Sequence, residues 1–239
     1  MITYCVIGKN WGSKIYKILK KKKKKAYLFN SNYRNSGRKY FQNLDNFIKK
    51  KKINIVWIAT PPKNRFELIN FCLNLKLNLI LEKPIILSKT QIKKIKKKIL
   101  IFKIFSFVHF EYIFLNKLKK ISKKKINKIV FNFHHKNKNK HQIIPIMNNG
   151  SHLMALKKIY FENVKINIFN TTEGNTNSRR IEFFFNNKSK IIDFTKNKEP
   201  IIQRFINYVE KVIKYRKKNK INFEFGVNCT SDLKKLKNF

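Results

Sequence analysis

Ile53-Asn-Ile-Val-Trp-Ile-Ala-Thr-Pro-Pro62 and, one amphipathic segment later, Leu77-Asn-Leu-Ile-Leu-Glu-Lys-Pro84 decide the fold. Each is a short run of β-branched and apolar residues that stops at proline, which has no N–H for a ladder and a fixed φ. Such continuous apolar runs read as strands buried on both faces. Between them, Arg65 to Leu75 sets Phe66, Ile69 and Leu73 at helical spacing, which predicts a helix with one face on the strands. Strand, helix, strand is a βαβ unit, whose crossover makes the two strands parallel.

The same alternation extends in both directions. Upstream, Ile2–Gly8 reads as a strand, Ser13–Leu19 as a helix closed by the lysines at 20–25, and Ala26–Phe29 as a second strand. A polar segment with a turn at Gly37 and a short helix over Leu44–Ile48 follow. Downstream, Gln91–Ile99 is a helix and Phe102–Val108 a strand. Past that point the strands run in succession, at Ile126–Phe133, Val164–Asn170, Arg180–Phe185 and Lys190–Phe194, with helices over Ser151–Tyr160 and Ile201–Tyr215. The fold class is therefore α/β: a Rossmann domain with a parallel sheet over residues 1–105, then a smaller α+β domain over 106–239 with a mostly antiparallel sheet.

Composition excludes several classes. No apolar run reaches the roughly 18 to 20 residues of a membrane span, and Met1–Gly8 has no charged region ahead of its apolar stretch, so neither a membrane protein nor a secretory leader is expected. Cys5, Cys72 and Cys229 are too scattered for a disulfide framework or a zinc site, and no metal is expected. A cytoplasmic location is the expectation. The net charge of +44 on 239 residues would, alone, suggest nucleic acid. Yet the lysines come with an excess of Asn, Ile and Phe, residues with A/T-rich codons, and arginine is not enriched. Drift in an A+T-biased genome accounts for that pattern, and nucleic acid is not expected as the partner.

Three motifs carry chemistry. Gly8-Lys9-Asn10-Trp11-Gly12 lies between the first strand and first helix, where glycine lets backbone N–H groups approach a pyrophosphate. It is one glycine short of G-x-G-x-x-G, through substitution by Asn10 or a one-residue deletion, and an ordinary tight turn remains the alternative. Thr60-Pro61-Pro62 and Glu82-Lys83-Pro84 both fall just past the C-terminal ends of parallel strands, the edge at which open α/β sheets bind ligands.

These residues resemble the Gfo/Idh/MocA oxidoreductases, relatives of glucose-fructose oxidoreductase and inositol dehydrogenase, as a shortened and divergent member. The stretch Val56–Pro62 through Leu79–Ile85 carries the likeness most specifically; Asn10-Trp11-Gly12, Asn148-Asn149-Gly150-Ser151-His152, Glu199-Pro200 and Cys229–Leu236 carry it loosely. The resemblance implies an NAD(P)-dependent oxidoreductase acting on a sugar, polyol or nucleotide sugar. Lys83 would lie beside the nicotinamide, and His152 would assist proton transfer. It implies cofactor contacts from Gly8, Asn10, Trp11, Gly12, Thr60, Pro61, Glu82 and Lys83. Substrate contacts would come from Lys83, His109, Asn148 and His152, and a small-molecule substrate would be the partner. At the end of the second strand, Asn30, Ser31 and Arg34 stand where an acid would hold the ribose of NAD; without one, NADP has a slight preference over NAD. The resemblance also implies a dimer or tetramer, joined through an apolar outer face on strands such as Arg180–Phe185.

The chain departs from the family pattern at four places. Asn148 replaces an aspartate, Ala155 an acid, and Arg65 the histidine that often follows Thr-Pro-Pro; the family's arginine pattern is absent from Phe107–Phe114. His109 is either a substitute contact or a buried strand-end histidine. An imine or non-sugar carbonyl reductase, and a catalytically reduced nucleotide-binding paralogue with a regulatory or structural role, remain as alternatives.

Overall fold

A computed structural model of the chain describes residues 1–29, 37–62, 65–121, 126–135, 145–164, 166–173, 178–186, 188–195 and 199–236. The chain divides into two units, Met1–His109 with Asn207–Val227, and Phe110–Ile206 with Asn228–Phe239.

In the first unit, strands β1 (Thr3–Ile7), β2 (Lys25–Phe29), β3 (Ile55–Ile58), β4 (Asn78–Glu82) and β5 (Ser106–His109) alternate with helices α1 (Asn10–Lys21), α2 (Gly37–Lys51), α3 (Arg65–Asn74) and α4 (Lys89–Ile101). The strands form one parallel sheet in the order β2-β1-β3-β4-β5. Every residue of β1, β3 and β5 is buried, as expected for a sheet covered on both faces. Because the chain steps from β1 to β2 on one side and then to β3 on the other, the strand order reverses between β1 and β3. That reversal is the switch point beside which such sheets bind ligands.

The helices differ in detail from the sequence expectation. Helix α2 starts at Gly37, which was expected to be a turn, and reaches well beyond Leu44–Ile48 because Tyr40, Leu44 and Ile48 form one buried stripe at i, i+4, i+8. Helix α1 begins at Asn10, so Gly12 lies inside its first turn. On α3 the buried positions are Arg65, Leu68, Ile69, Cys72 and Leu73, an i, i+3, i+4, i+7, i+8 stripe that starts on a cation and leaves Phe66 half-buried.

In the second unit, β6 (Lys128–His135), β7 (Ile166–Glu173), β8 (Ser178–Phe185) and β9 (Lys188–Asp193) make a sheet in the order β7-β6-β8-β9. The β6–β8 and β8–β9 pairings are antiparallel and β6–β7 is parallel, so the sheet is mostly antiparallel as read from sequence. Helices α6 (Pro145–Tyr160), α7 (Ile201–Tyr215) and α8 (Phe223–Leu236) are longer than, or match, their sequence readings. A 3-10 turn at Glu111–Phe114 and the short α5 (Asn116–Ile121) carried too little periodicity to be read. On β8, Ile181 and Phe183 are buried while Arg180 is exposed and Glu182 and Phe184 are half-buried. Its outer face is therefore mixed, not apolar; Arg180 pairs with Asp193 at 3.0 Å, and Lys128 lies over the Phe184 ring. No helix among the described residues is long and apolar enough to cross a membrane.

Five helices end in the same way. After α1, α2, α3, α4 and α7, the residues Lys23, Lys52, Lys76, Lys103 and Arg216 take φ between 48° and 55°. The next residue's N–H bonds the carbonyl five positions back: Lys24 to Leu19, Ile53 to Ile48, Leu77 to Cys72, Ile104 to Ile99 and Lys217 to Val212. This is the Schellman ending, whose left-handed position glycine usually fills. Here a basic residue bears the strain of positive φ, in a chain with 6 glycines, while its charge complements the helix C-terminus. Lys52→Gly removes that strain at an exposed position and should raise stability by about 1 kcal/mol, or roughly 2 to 4 °C in Tm. Thermal unfolding monitored by circular dichroism checks it, with Lys22→Gly, at φ −92°, expected to give no gain.

Candidate functional site

At the switch point, Gly8 follows β1 with φ +144°, and a Cβ added there would stand 2.6 Å from the Ala59 carbonyl oxygen at the end of β3. Only glycine fits so close a backbone approach. Gly12 is less constrained: a Cβ there would meet Val6 and Ala59 at 3.5 and 3.6 Å, ordinary contacts that seat the first turn of α1 on the sheet. The residue capping α1, Lys9, makes no side-chain cap hydrogen bond, and no acid lies in the first turn. The N–H groups of that turn, with the helix dipole behind them, form a ready anion site.

The ends of β3, β4 and β5 carry a polar cluster within the apolar sheet. Trp57 Nε1 donates to Glu82 Oε1 at 3.0 Å, and His109 Nδ1 lies 2.8 Å from the same oxygen. Glu82 and His109 are paired in the β4–β5 register, so the ladder itself sets them side by side. Burial pushes the Glu82 pKa up, but the charge and hydrogen bond of His109, the hydrogen bond of Trp57 and the charge of Lys83 outweigh it and hold the carboxyl below its usual range. An ionised Glu82 only accepts, so His109 Nδ1 carries the hydrogen. The His109 ring stacks on Trp11 at 6.4 Å and meets Trp57 edge-on at 5.0 Å.

Arg65, the buried cation of α3, reaches across two strand ends. Its Nη1 donates to the Glu82 and Pro84 carbonyls, the latter at 2.9 Å, and its Nη2 to the Thr60 carbonyl at 2.5 Å. Burial pushes its pKa down to about 10, with the charge of Glu82 pulling the other way, so it stays protonated at neutral pH. The shift corresponds to a cost on the order of 3 kcal/mol; three charge-assisted hydrogen bonds, each about 1.5 to 3 kcal/mol, are enough to offset it. The Thr60 hydroxyl oxygen beside this clamp is buried without a hydrogen-bond partner among the described residues.

In the second unit, His152 is 3% exposed on α6, its ring 4.6 Å from Tyr112 and edge-on to Phe110 at 6.1 Å. Tyr112 stacks on Phe194, and its hydroxyl accepts from Arg179 Nη1 at 2.5 Å. Burial, with the Glu111 charge, raises the Tyr112 pKa against the opposing effect of Arg179 and keeps the phenol neutral.

The sequence-predicted residues therefore fall into distinct groups. Gly8, Asn10, Trp11, Gly12, Thr60, Pro61 and Lys83 line the strand and helix ends of the first unit. The Glu82 carboxylate turns inward to Trp57 and His109. His109 is 0% exposed and is the buried strand-end histidine, because its ladder position faces that carboxylate. His152 belongs to the second unit. Asn148 lies on α6, while Asn30, Ser31 and Arg34 lie outside the described residues. Sequence reasoning missed the roles of Arg65 and of the Arg179–Tyr112 pair. For Arg65 a signal existed, its place on the stripe with Leu68, Ile69, Cys72 and Leu73.

Residues 6–99 match the family model described as oxidoreductase family, NAD-binding Rossmann fold, of the Gfo/Idh/MocA type. Over these residues the chain is similar to the NAD-binding domain of that family. No curated protein matches the chain. Among solved structures it is similar to the UDP-N-acetylglucosamine 3-dehydrogenase GnnA of Acidithiobacillus ferrooxidans, at 11% identity over 98% of this chain and 96% of that one, with a TM-score of 0.79. A putative myo-inositol dehydrogenase of Sinorhizobium meliloti gives 10% identity over 98% and 95%, with a TM-score of 0.78. GenD2 of gentamicin A biosynthesis, solved with NAD, gives 10% over 98% and 92%, with a TM-score of 0.73. At these identities the likeness shows the fold.

Two outcomes follow for this domain. Gly8→Ala should destabilise it by at least about 2 kcal/mol and Gly12→Ala by less than about 1, read from denaturant midpoints. The folded pKa of Glu82 lies below its unfolded 4.5, so its contribution to stability is complete above that value and is lost as pH falls through the folded pKa. Unfolding measured from pH 7 down to 3 should show a steeper acid loss in the native protein than in Glu82→Gln.

Proposed function

We propose that the chain is an NAD(P)-dependent oxidoreductase that moves a hydride to or from a hydroxyl or carbonyl carbon of a sugar, polyol or nucleotide sugar. The observation that carries this reading is the Gly8 turn pressed on Ala59 at the β1/β3 switch point of a Gfo/Idh/MocA domain.

The residues present fit a dinucleotide on two counts: the α1 turn without a side-chain cap, and the Thr60 hydroxyl buried with no hydrogen-bond partner among the described residues. The first-turn N–H groups of Asn10, Trp11 and Gly12 would hold its pyrophosphate, and Thr60 and Pro61 would contribute further contacts. The nicotinamide, when bound, supplies the hydride acceptor or donor. Lys83, half-buried at the end of β4, holds at Nζ the proton that leaves or joins the substrate oxygen. His152 of the second unit, its ring packed against Tyr112 and Phe110, is proposed as a residue that assists proton transfer. The choice between NADP and NAD, with NADP slightly preferred, depends on Asn30, Ser31 and Arg34. The protein is proposed to work in the cytoplasm as a dimer or tetramer, which sedimentation would measure. A catalytically reduced nucleotide-binding role is favoured only by Asn148 and Ala155, where the related pattern carries acids.

Fluorescence titration with NADH and NADPH should give a Kd below about 100 μM for at least one; binding of neither removes this reading. With a turned-over substrate in hand, Lys83→Ala should lower kcat by about 10²- to 10⁴-fold while the nucleotide Kd stays within about threefold. Unchanged turnover removes Lys83 from the chemistry.

A further inference from the structure

We propose that Arg65 is the positioning residue of this site. Donating from within the domain to the carbonyls of Thr60, Glu82 and Pro84, its guanidinium fixes the backbone on both sides of Lys83 and ties it to the end of β3. The inference rests on the reading of Lys83 as the proton-holding group.

The need for such a clamp follows from where the ladder stops. The β3–β4 register ends at the pair Ile58 and Leu81. Past that pair the chains carry Pro61, Pro62 and Pro84, none of which has an N–H to offer. The carbonyls of Thr60, Glu82 and Pro84 therefore lie past the last β3–β4 pair, although Glu82 still pairs with His109 of β5, and main-chain acceptors left buried without a donor are costly. Arg65 supplies the missing donors from a third element, α3. All of its hydrogen-bond partners among the described residues are main-chain oxygens, from two strand ends, so it fastens one to the other. The remaining members of its stripe are Leu68, Ile69, Cys72 and Leu73, and packing alone would be met by an apolar residue in its place. A planar fork with donors in fixed directions is what distinguishes arginine from lysine for this task.

Lys83 lies between two of the clamped carbonyls. Catalysis by a positioned group is sensitive to displacement, with about 1 Å costing on the order of 100-fold. The Gly8 turn and the α1 N-terminus, which would hold the nucleotide, do not depend on this clamp for their hydrogen bonds. Loss of Arg65 should therefore reduce turnover while sparing nucleotide affinity.

The test compares the full chain with Arg65→Met and Arg65→Lys by hydrogen exchange and by kinetics, after circular dichroism has shown that each variant is folded. Amides of Lys83, Ile85 and Ile86 should exchange at least about tenfold faster in Arg65→Met while those of β1 hold their rates. The kcat should fall about 100-fold, with KM and the NAD(P)H Kd within about threefold, and Arg65→Lys should recover part of both effects. Should Arg65→Met not fold, Arg65→Gln and Arg65→Lys carry the comparison. Unchanged exchange at 83–86 in a folded variant overturns the clamp. Faster exchange with kcat within about threefold overturns the positioning role and leaves Arg65 as a stability element. A native protein that binds neither nucleotide removes the assignment of Lys83, and the catalytic half of the inference with it, while the exchange result still decides the clamp.

Discussion

The contact between Gly8 and the Ala59 carbonyl constrains much of what surrounds it. Strands β1 and β3 are adjacent although β2 comes between them in sequence, and the loops leaving both must pass at the same sheet edge. With a Cβ excluded at 2.6 Å, the turn after β1 runs flat against the end of β3, and α1 starts at once, at Asn10. The anion-binding end of a helix, the orphaned Thr60 hydroxyl and the Thr-Pro-Pro segment are thereby gathered along one line of strand ends.

Polar groups at this edge are held by a division of labour between carboxylate and guanidinium. Glu82 directs its side chain to Trp57 and His109 and its carbonyl to Arg65. Arg65, although a buried cation, directs its Nη1 and Nη2 donors to carbonyls and to no carboxylate among the described residues. The two charged side chains make no hydrogen bond to each other; Arg65 meets Glu82 only at its main-chain oxygen. Arg65 is thus held by three hydrogen bonds to the strand ends that flank the motif following β4.

The +44 charge has a structural counterpart in the helix endings. Lysines and an arginine occupy left-handed positions where glycine costs least, so the compositional bias reaches strained backbone sites as well as solvated faces. The scarce acids are placed with purpose: Glu210 receives Tyr4 and Lys24, Glu199 receives Arg204 and the Asn116 N–H, and Asp232 pairs with Lys158. Removing an acid from this chain is thus expected to matter more than removing one of its many lysines.

Sequence alone determined the α/β alternation, the parallel sheet and the motifs at its edge, because continuous apolar runs stopped by Pro61 and Pro84 leave few alternatives for strands that must be buried on both faces. It also determined the mostly antiparallel second sheet, from a succession of short strands interrupted by one helix, the one that separates the parallel pair β6 and β7. Several features depended on tertiary structure for a physical reason: they are set by which elements meet, and chain order does not encode that. Residues 207–227 return to the first unit. His109 is buried against Glu82 because β5 pairs with β4 in that register. Arg65, which in sequence is one more basic residue after a proline turn, is a clamp because α3 lays its first buried position over two strand ends that have run out of donors.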